Sequence, residues 1–141
     1  MQFPASLSDS NSPPTPRPIY QYFGGLSNEL GTPRVLICPS DHRRFATNFA
    51  SLRNTNVSYF LGFTARETEP RSLLSGDRNL ATNGVPLSNC IVDVNSNSVL
   101  SWTAEMHNGN GNVMLGDGSV QQWTSTLLRT GLVTTNRLII P

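Results

Sequence analysis

The stretch His107-Asn108-Gly109-Asn110-Gly111-Asn112-Val113-Met114-Leu115-Gly116-Asp117-Gly118, continued by Ser119-Val120-Gln121-Gln122-Trp123, reads as a β-hairpin. Asp-Gly is a preferred pair for a two-residue type I′ turn, because both central residues of that turn take positive φ. With Asp117-Gly118 at the tip, residues 112–116 and 119–123 are the strands. Leu115 then faces Val120, and Met114 faces Gln121. Each strand has an apolar-rich face and a mixed face, the pattern of an antiparallel pair with one side on a core. Just upstream, Asn108, Asn110 and Asn112 alternate with Gly109 and Gly111, which lets the backbone turn sharply. Downstream, residues 124–131 predict a short helix capped by Thr124 and ended by Gly131. Residues 137–141 predict an extended tail laid against the body.

Moving back from the hairpin, residues 99–104 predict a strand that returns from a polar turn at 95–98, so that it pairs with a strand at 91–94. Residues 71–74 and 57–63 predict two more strands, the latter rich in aromatic and branched residues. Ser40 offers an N-cap with Asp41 beside it, and Phe45, Phe49 and Leu52 fall at i, i+4 and i+7, which predicts a helix packed on the sheet. The apolar run 34–38 predicts a buried strand. Tyr22, Leu26 and Leu30 keep helical spacing, weakened by Gly24 and Gly25 and stopped by Pro33. Five of the ten prolines lie between residues 4 and 18. That composition cannot bury much apolar surface, so residues 1–18 predict an extended Pro/Ser-rich linker and 19–141 a globular head.

Composition excludes several functions. The chain has 141 residues, with 37% hydrophobic, 13% charged and a net charge of +1. That net charge argues against nucleic acid, because phosphate binding needs a concentrated cationic face. The ten basic residues are all arginine, so neither a Walker A loop nor Schiff-base chemistry is available. No run of eighteen apolar residues is present. Cys38 and Cys90 are too far apart for a Cys-x-x-Cys site. They form a disulfide, worth roughly 4 kcal/mol on the chain-entropy model, if the protein is exported. The alternative is two separate buried thiols.

Few residues suggest chemistry. His107 and Asp117 resemble two members of a hydrolytic triad, but no Gly-x-Ser-x-Gly elbow accompanies them, and turn geometry alone explains Asp117. Structurally, His107 is expected to donate to a loop carbonyl or to pack on Trp102. Cys38 lies in an apolar run, where a thiol is usually inert, although His42 and His107 are conceivable partners. No pair of histidines has zinc-ligand spacing. Asp93, Asn95 and Asn97 place oxygens on alternate residues, like the first half of a calcium loop. Ser98 stands where that loop wants glycine, and Glu105 is one place too late to close it. Asp77 and Arg78 invite an ion pair inside the fold.

Six segments stand in a distinctive order: Ile37-Cys38-Pro39-Ser40-Asp41, Val57-Ser58-Tyr59-Phe60, Gly76-Asp77-Arg78-Asn79, residues 102–107, Gly111-Asn112-Val113, and Asp117-Gly118-Ser119-Val120. In this the chain resembles the prepilin-type proteins with an "H-x9-DG" processing-associated domain, abundant in Planctomycetes and Verrucomicrobia. The resemblance runs from about residue 30 to the end. It implies an α+β head, an antiparallel β-sheet with short helices, like that of a type II secretion pseudopilin. It also implies a structural subunit without catalytic activity, whose partners are other pseudopilins and secretion-system components. The location implied is periplasmic or extracellular, with an inner-membrane anchor where the full-length protein carries the prepilin helix. That apolar helix and its cleavage motif are absent from this chain, so a trimmed head is expected, with no membrane contact of its own. In this reading Cys38, Pro39, Asp41, Asp77, Arg78, Asn79, His107, Asp117 and Gly118 mark structural positions. No cofactor is implied, unless calcium at Asp93. The second reading is an extracytoplasmic binding module for calcium, a glycan or a secreted protein.

Overall fold

Strand alternation organises the molecule. In the computed structural model, which describes residues 16–141, the strand β1 (Tyr59–Gly62) buries Phe60 on one side and Leu61 on the other. Both faces of the sheet around it are therefore covered. The remaining strands are β2 (Leu73–Asp77), β3 (Leu80–Thr82), β4 (Val85–Pro86), β5 (Cys90–Val94), β6 (Leu100–Trp102), β7 (Gly111–Leu115), β8 (Val120–Trp123) and β9 (Asn136–Ile140). Six form one antiparallel sheet in the order β5-β9-β1-β2-β7-β8, and three form a second in the order β4-β3-β6. The helices are short: α1 (Ile19–Gly24), α2 (Ser27–Leu30) and α3 (Ser125–Thr130). The architecture is mostly antiparallel β with a few short helices, and among the described residues no helix is long and apolar enough to cross a membrane.

The main core joins the two sheets and α3 through Phe60, Leu80, Trp102, Val113, Leu128 and Leu138. On the opposite face, Ile19 of α1 packs with Leu61 and Ile139. A third cluster, built on Leu36, Leu52 and Val57, lies under the irregular segment between α2 and β1. The predicted linker falls, up to residue 15, outside the described residues.

Several expectations need correction. The predicted tail is an interior strand: β9 sits between β5 and β1, because its Leu138-Ile139-Ile140 run buries side chains on both faces. Residues 34–38 are not a strand. Pro33 at the first position and the Thr32 side chain, accepting from the Arg34 N–H, wind Pro33–Leu36 into a 3-10 turn. Nor does a helix follow Ser40. Its hydroxyl is taken by the His107 N–H and Asp41 by Arg78, so neither serves a helix end, and only a 3-10 turn at Phe49–Ser51, capped by Asn48, forms there. Phe45 stays exposed, with the Arg34 guanidinium 4.4 Å over its ring. The segments 91–94 and 99–104 do not pair with each other. β5 pairs β9 and β6 pairs β3, so the turn at 95–98 carries the chain from one sheet to the other.

The hairpin at Asp117 exists, but its register is shifted by one. Met114 pairs Val120 and Val113 pairs Gln121. The Gly118 N–H donates to Leu115 O and the Leu115 N–H to Ser119 O, both at 2.9 Å. Within residues 115–119 only Gly118 has positive φ, +85°. This is a three-residue loop, a type I turn closed by a left-handed glycine, rather than a type I′ turn. The slip turns Val113 and Leu115 inward and Val120 out to solvent. A Cβ on Gly118 would meet nothing, so the cost of Gly118→Ala is conformational only. It should destabilise the protein by about 1–2 kcal/mol in chemical denaturation without changing the fold. A smaller loss would mean the turn relaxes to another geometry.

Candidate functional site

β2 ends at Asp77 and Arg78 directly follows it, so that the two successive side chains leave on opposite sides. Asp77 and Arg78 consequently do not pair with each other. Arg78 reaches Asp41 with Nε and Nη2, both at 2.7 Å, and Glu105 with Nη1 at 3.2 Å and Nη2 at 2.6 Å. The Ser58 hydroxyl and the Arg43 N–H also donate to Asp41. Burial pushes the Asp41 carboxyl up, but the bonds from Arg78 and Ser58 outweigh it and hold the group at about 2. The same bonds from Asp41 hold Arg78 above its ordinary value. One guanidinium thus ties the loop after Cys38 and the loop before His107 to the end of the sheet.

Arg43 closes the next layer. It donates to the carbonyls of Asn54, Val57 and Pro141. A shallow depression of about 420 Å³ opens here, lined by Asp41, His42, Arg43, Arg78, Pro86, Leu87, Ser88 and Glu105. Both of its guanidiniums are already engaged, so it offers no arginine free to hold an anionic substrate.

Asp77 points the other way, toward Cys38 and His107. His107 Nε2 lies 3.2 Å from Asp77 Oδ2 and 3.3 Å from Cys38 Sγ. The Asn112 N–H and side-chain amide donate to the same Asp77 oxygen at 2.6 and 3.1 Å. The His107 N–H donates to Ser40 Oγ, two residues beyond Cys38. His107 itself adopts φ +49°, a left-handed conformation that a non-glycine residue holds only when its surroundings impose it. Sequence reasoning expected His107 to meet a loop carbonyl or Trp102. Instead its ring meets a carboxylate and a thiol.

These three groups do not make a nucleophilic triad. A triad needs the nucleophile on one imidazole nitrogen and the carboxylate on the other, whereas here both face Nε2. Burial, with the charges of Asp77 and Asp41 adding to it, also pushes the Cys38 thiol up, so it is not a resting thiolate. Tyr59, opposite Asp77 across β1 and β2, is likewise raised, to about 12, chiefly by burial and then by the charges that Cys38, ionised only at that alkaline pH, and Asp77 carry there.

Asn79 secures the loop that carries His107. Its side-chain nitrogen donates to the carbonyls of Thr103, Met106 and Asn110, and its backbone carbonyl accepts from the Thr103 N–H. Pro39 stands inside the turn closed by the Asp41 N–H on Cys38 O.

Other expected positions lie elsewhere. Asp117, at the hairpin tip, accepts from the Ser119 N–H and hydroxyl, which hold its carboxyl below the usual range, and it joins neither cluster. Both cysteines are free: Cys38 faces His107, while Cys90 packs against the main core from the outer strand β5. Of the calcium candidates Asp93, Asn95 and Asn97, the first two have side-chain oxygens that meet protein donors. Asp93 gives both oxygens to Arg137, its cross-strand neighbour, and Asn95 Oδ1 accepts from the Asn97 N–H. Glu105, Ser58, Ser40 and Asn112 are structural partners that sequence reasoning missed. Only the strand alternation at 77–78 could have hinted that Arg78 seeks an acid other than Asp77.

No family model matches the chain, and neither a curated protein nor a solved structure matches it.

Proposed function

We propose that this chain is the non-catalytic head of a pseudopilin-like structural subunit, exported and assembled with other subunits of a type II secretion or type IV pilus-like filament. The supporting observation is how the motif residues are used. Asp41, Asp77, Arg78, Asn79 and His107 are all spent on ties between loops and the sheet. A filament head needs a rigid body that holds irregular loops in place, and these ties supply it. An enzyme would keep some of these groups free for a substrate. The Cys38–His107 contact has the wrong geometry and protonation for nucleophilic attack.

An antiserum against the chain, applied to fractionated source cells, tests the reading. The expected result is recovery in the envelope or in sheared surface filaments, cross-linked to other pilin-like subunits. Recovery only as a free cytoplasmic monomer would overturn it. Turnover in a hydrolase substrate panel, lost in His107→Ala, would overturn the non-catalytic part.

A further inference from the structure

We propose that Cys38, Asp77 and His107 form a binding site for a zinc-class divalent cation, which clips the Cys38 loop and the His107 loop to the end of β2.

The geometry carries the inference. One ligand atom from each residue, a thiol sulfur, a carboxylate oxygen and an imidazole nitrogen, lies within 4.8 Å of both others. Zinc bonds of about 2.3 Å to sulfur and 2.0–2.1 Å to nitrogen or oxygen, at tetrahedral angles, place neighbouring ligand atoms roughly 3.3–3.6 Å apart. The observed separations of 3.3 Å for Sγ–Nε2 and 3.2 Å for Nε2–Oδ2 are close to that. A single N–H shared between Asp77 and Cys38 would serve each with poorer geometry than a metal bonded to all three atoms.

Charge points the same way. Asp77 is 2% exposed, and among the described residues no arginine reaches it; its one ionic partner is His107, which is charged only when protonated. Buried carboxylates are as a rule paired with a cation or bound to a metal. Asp41, a few residues from Cys38, has its guanidinium, while Asp77 does not. A divalent cation would supply the missing charge.

The surroundings are those of a ligand set held in place. The two Asn112 donors orient the Asp77 carboxylate, as outer hydrogen bonds do around metals. Ser40 Oγ holds the His107 backbone in its left-handed conformation. The His107 side chain is 23% exposed, which leaves an entry path for the ion. On binding, the Cys38 S–H proton leaves to solvent and the sulfur lone pair bonds the metal. The mixed sulfur, nitrogen and oxygen set favours zinc over calcium, which takes oxygen ligands alone.

The test is titration of the purified full chain with Zn²⁺ alone, and separately with Co²⁺ alone. One equivalent of zinc should bind at micromolar concentration, raise the melting temperature, and protect Cys38 but not Cys90 from alkylation, as read by peptide mass spectrometry. Cobalt should give a thiolate charge-transfer band, absent in Cys38→Ser and in His107→Ala. Protection of Cys38 is read on the wild type, so a variant that fails to fold does not spoil the experiment. Zinc that binds without protecting Cys38, a cobalt band that survives Cys38→Ser, or no binding at all would overturn the proposal.

Discussion

Replacing Arg78 with alanine should be among the most damaging polar changes, lowering stability by about 3–5 kcal/mol. Arg78 is 7% exposed, and the Asp41 side chain beneath it is fully buried. Removing the guanidinium leaves the buried Asp41 charge without the cation that is hydrogen-bonded to both its oxygens. Against a total stability of roughly 5–15 kcal/mol, that is a large share. The melting temperature should fall by on the order of 10–15 °C. Arg78→Lys should recover little, since one ammonium cannot reproduce four bonds to two carboxylates. Glu105→Gln should cost much less, because Glu105 is half exposed.

The same contact sets an acid limit. The Asp41 carboxyl is depressed from 3.8 to about 2 in the folded protein. A carboxylate depressed on folding contributes stability that is present above its unfolded value and is lost as pH falls through the folded one. Stability should therefore drop between about pH 4 and pH 2, and Asp41→Asn should flatten that limb in an acid titration followed by circular dichroism. An unchanged limb would show that other carboxyls govern acid unfolding.

What could be read from the residues follows a physical division. The runs 57–63, rich in aromatic and branched residues, and 91–94 contain strands, at Tyr59–Gly62 and within Cys90–Val94, because such side chains suit burial on a sheet. The short helix after Thr124 also formed as read, since its cap and its glycine stop are local chemistry. Segments whose polar groups find distant partners were not legible. Ser40 and Asp41 look like a helix start, yet their partners are His107 and Arg78, 67 and 37 residues away. The pairing of β9 with β1 and β5 is equally non-local, and nothing within residues 137–141 names those neighbours. The site was legible as a set of residues and not as an arrangement. Asp77, Arg78, Cys38 and His107 were all singled out, but their sorting into an ion network and a Cys-Asp-His trio depends on which side of β2 each faces.

Asn79→Asp should be nearly as harmful as loss of Arg78, although it changes only one side-chain group and hardly any volume. The Asn79 amide nitrogen stands 3.0, 3.3 and 3.1 Å from the carbonyl oxygens of Thr103, Met106 and Asn110, in a position 2% exposed. Turning the amide over would set oxygen against three oxygens, so the hydrogen-bond network itself assigns its orientation. Aspartate makes that clash permanent and adds a buried charge. The expected loss at pH 7 is about 3 kcal/mol or more, against roughly 1–3 kcal/mol for Asn79→Ala, which removes the donor without adding a charge. Proton linkage separates the two. The new carboxyl would be raised in the folded state, so its penalty is complete above the folded pKa and shrinks as pH falls toward the unfolded one. The melting-temperature gap between Asn79→Asp and wild type should accordingly narrow from pH 7 to pH 5, a range above the Asp41 limb, while the gap for Asn79→Ala stays constant. Because this amide holds the loop that presents His107, Asn79→Asp should also weaken zinc binding by the folded variant. If Asn79→Asp lies within about 0.5 kcal/mol of wild type at pH 7, the three carbonyls are not held by this residue, and the loop owes its shape to Arg78 and Ser40 alone.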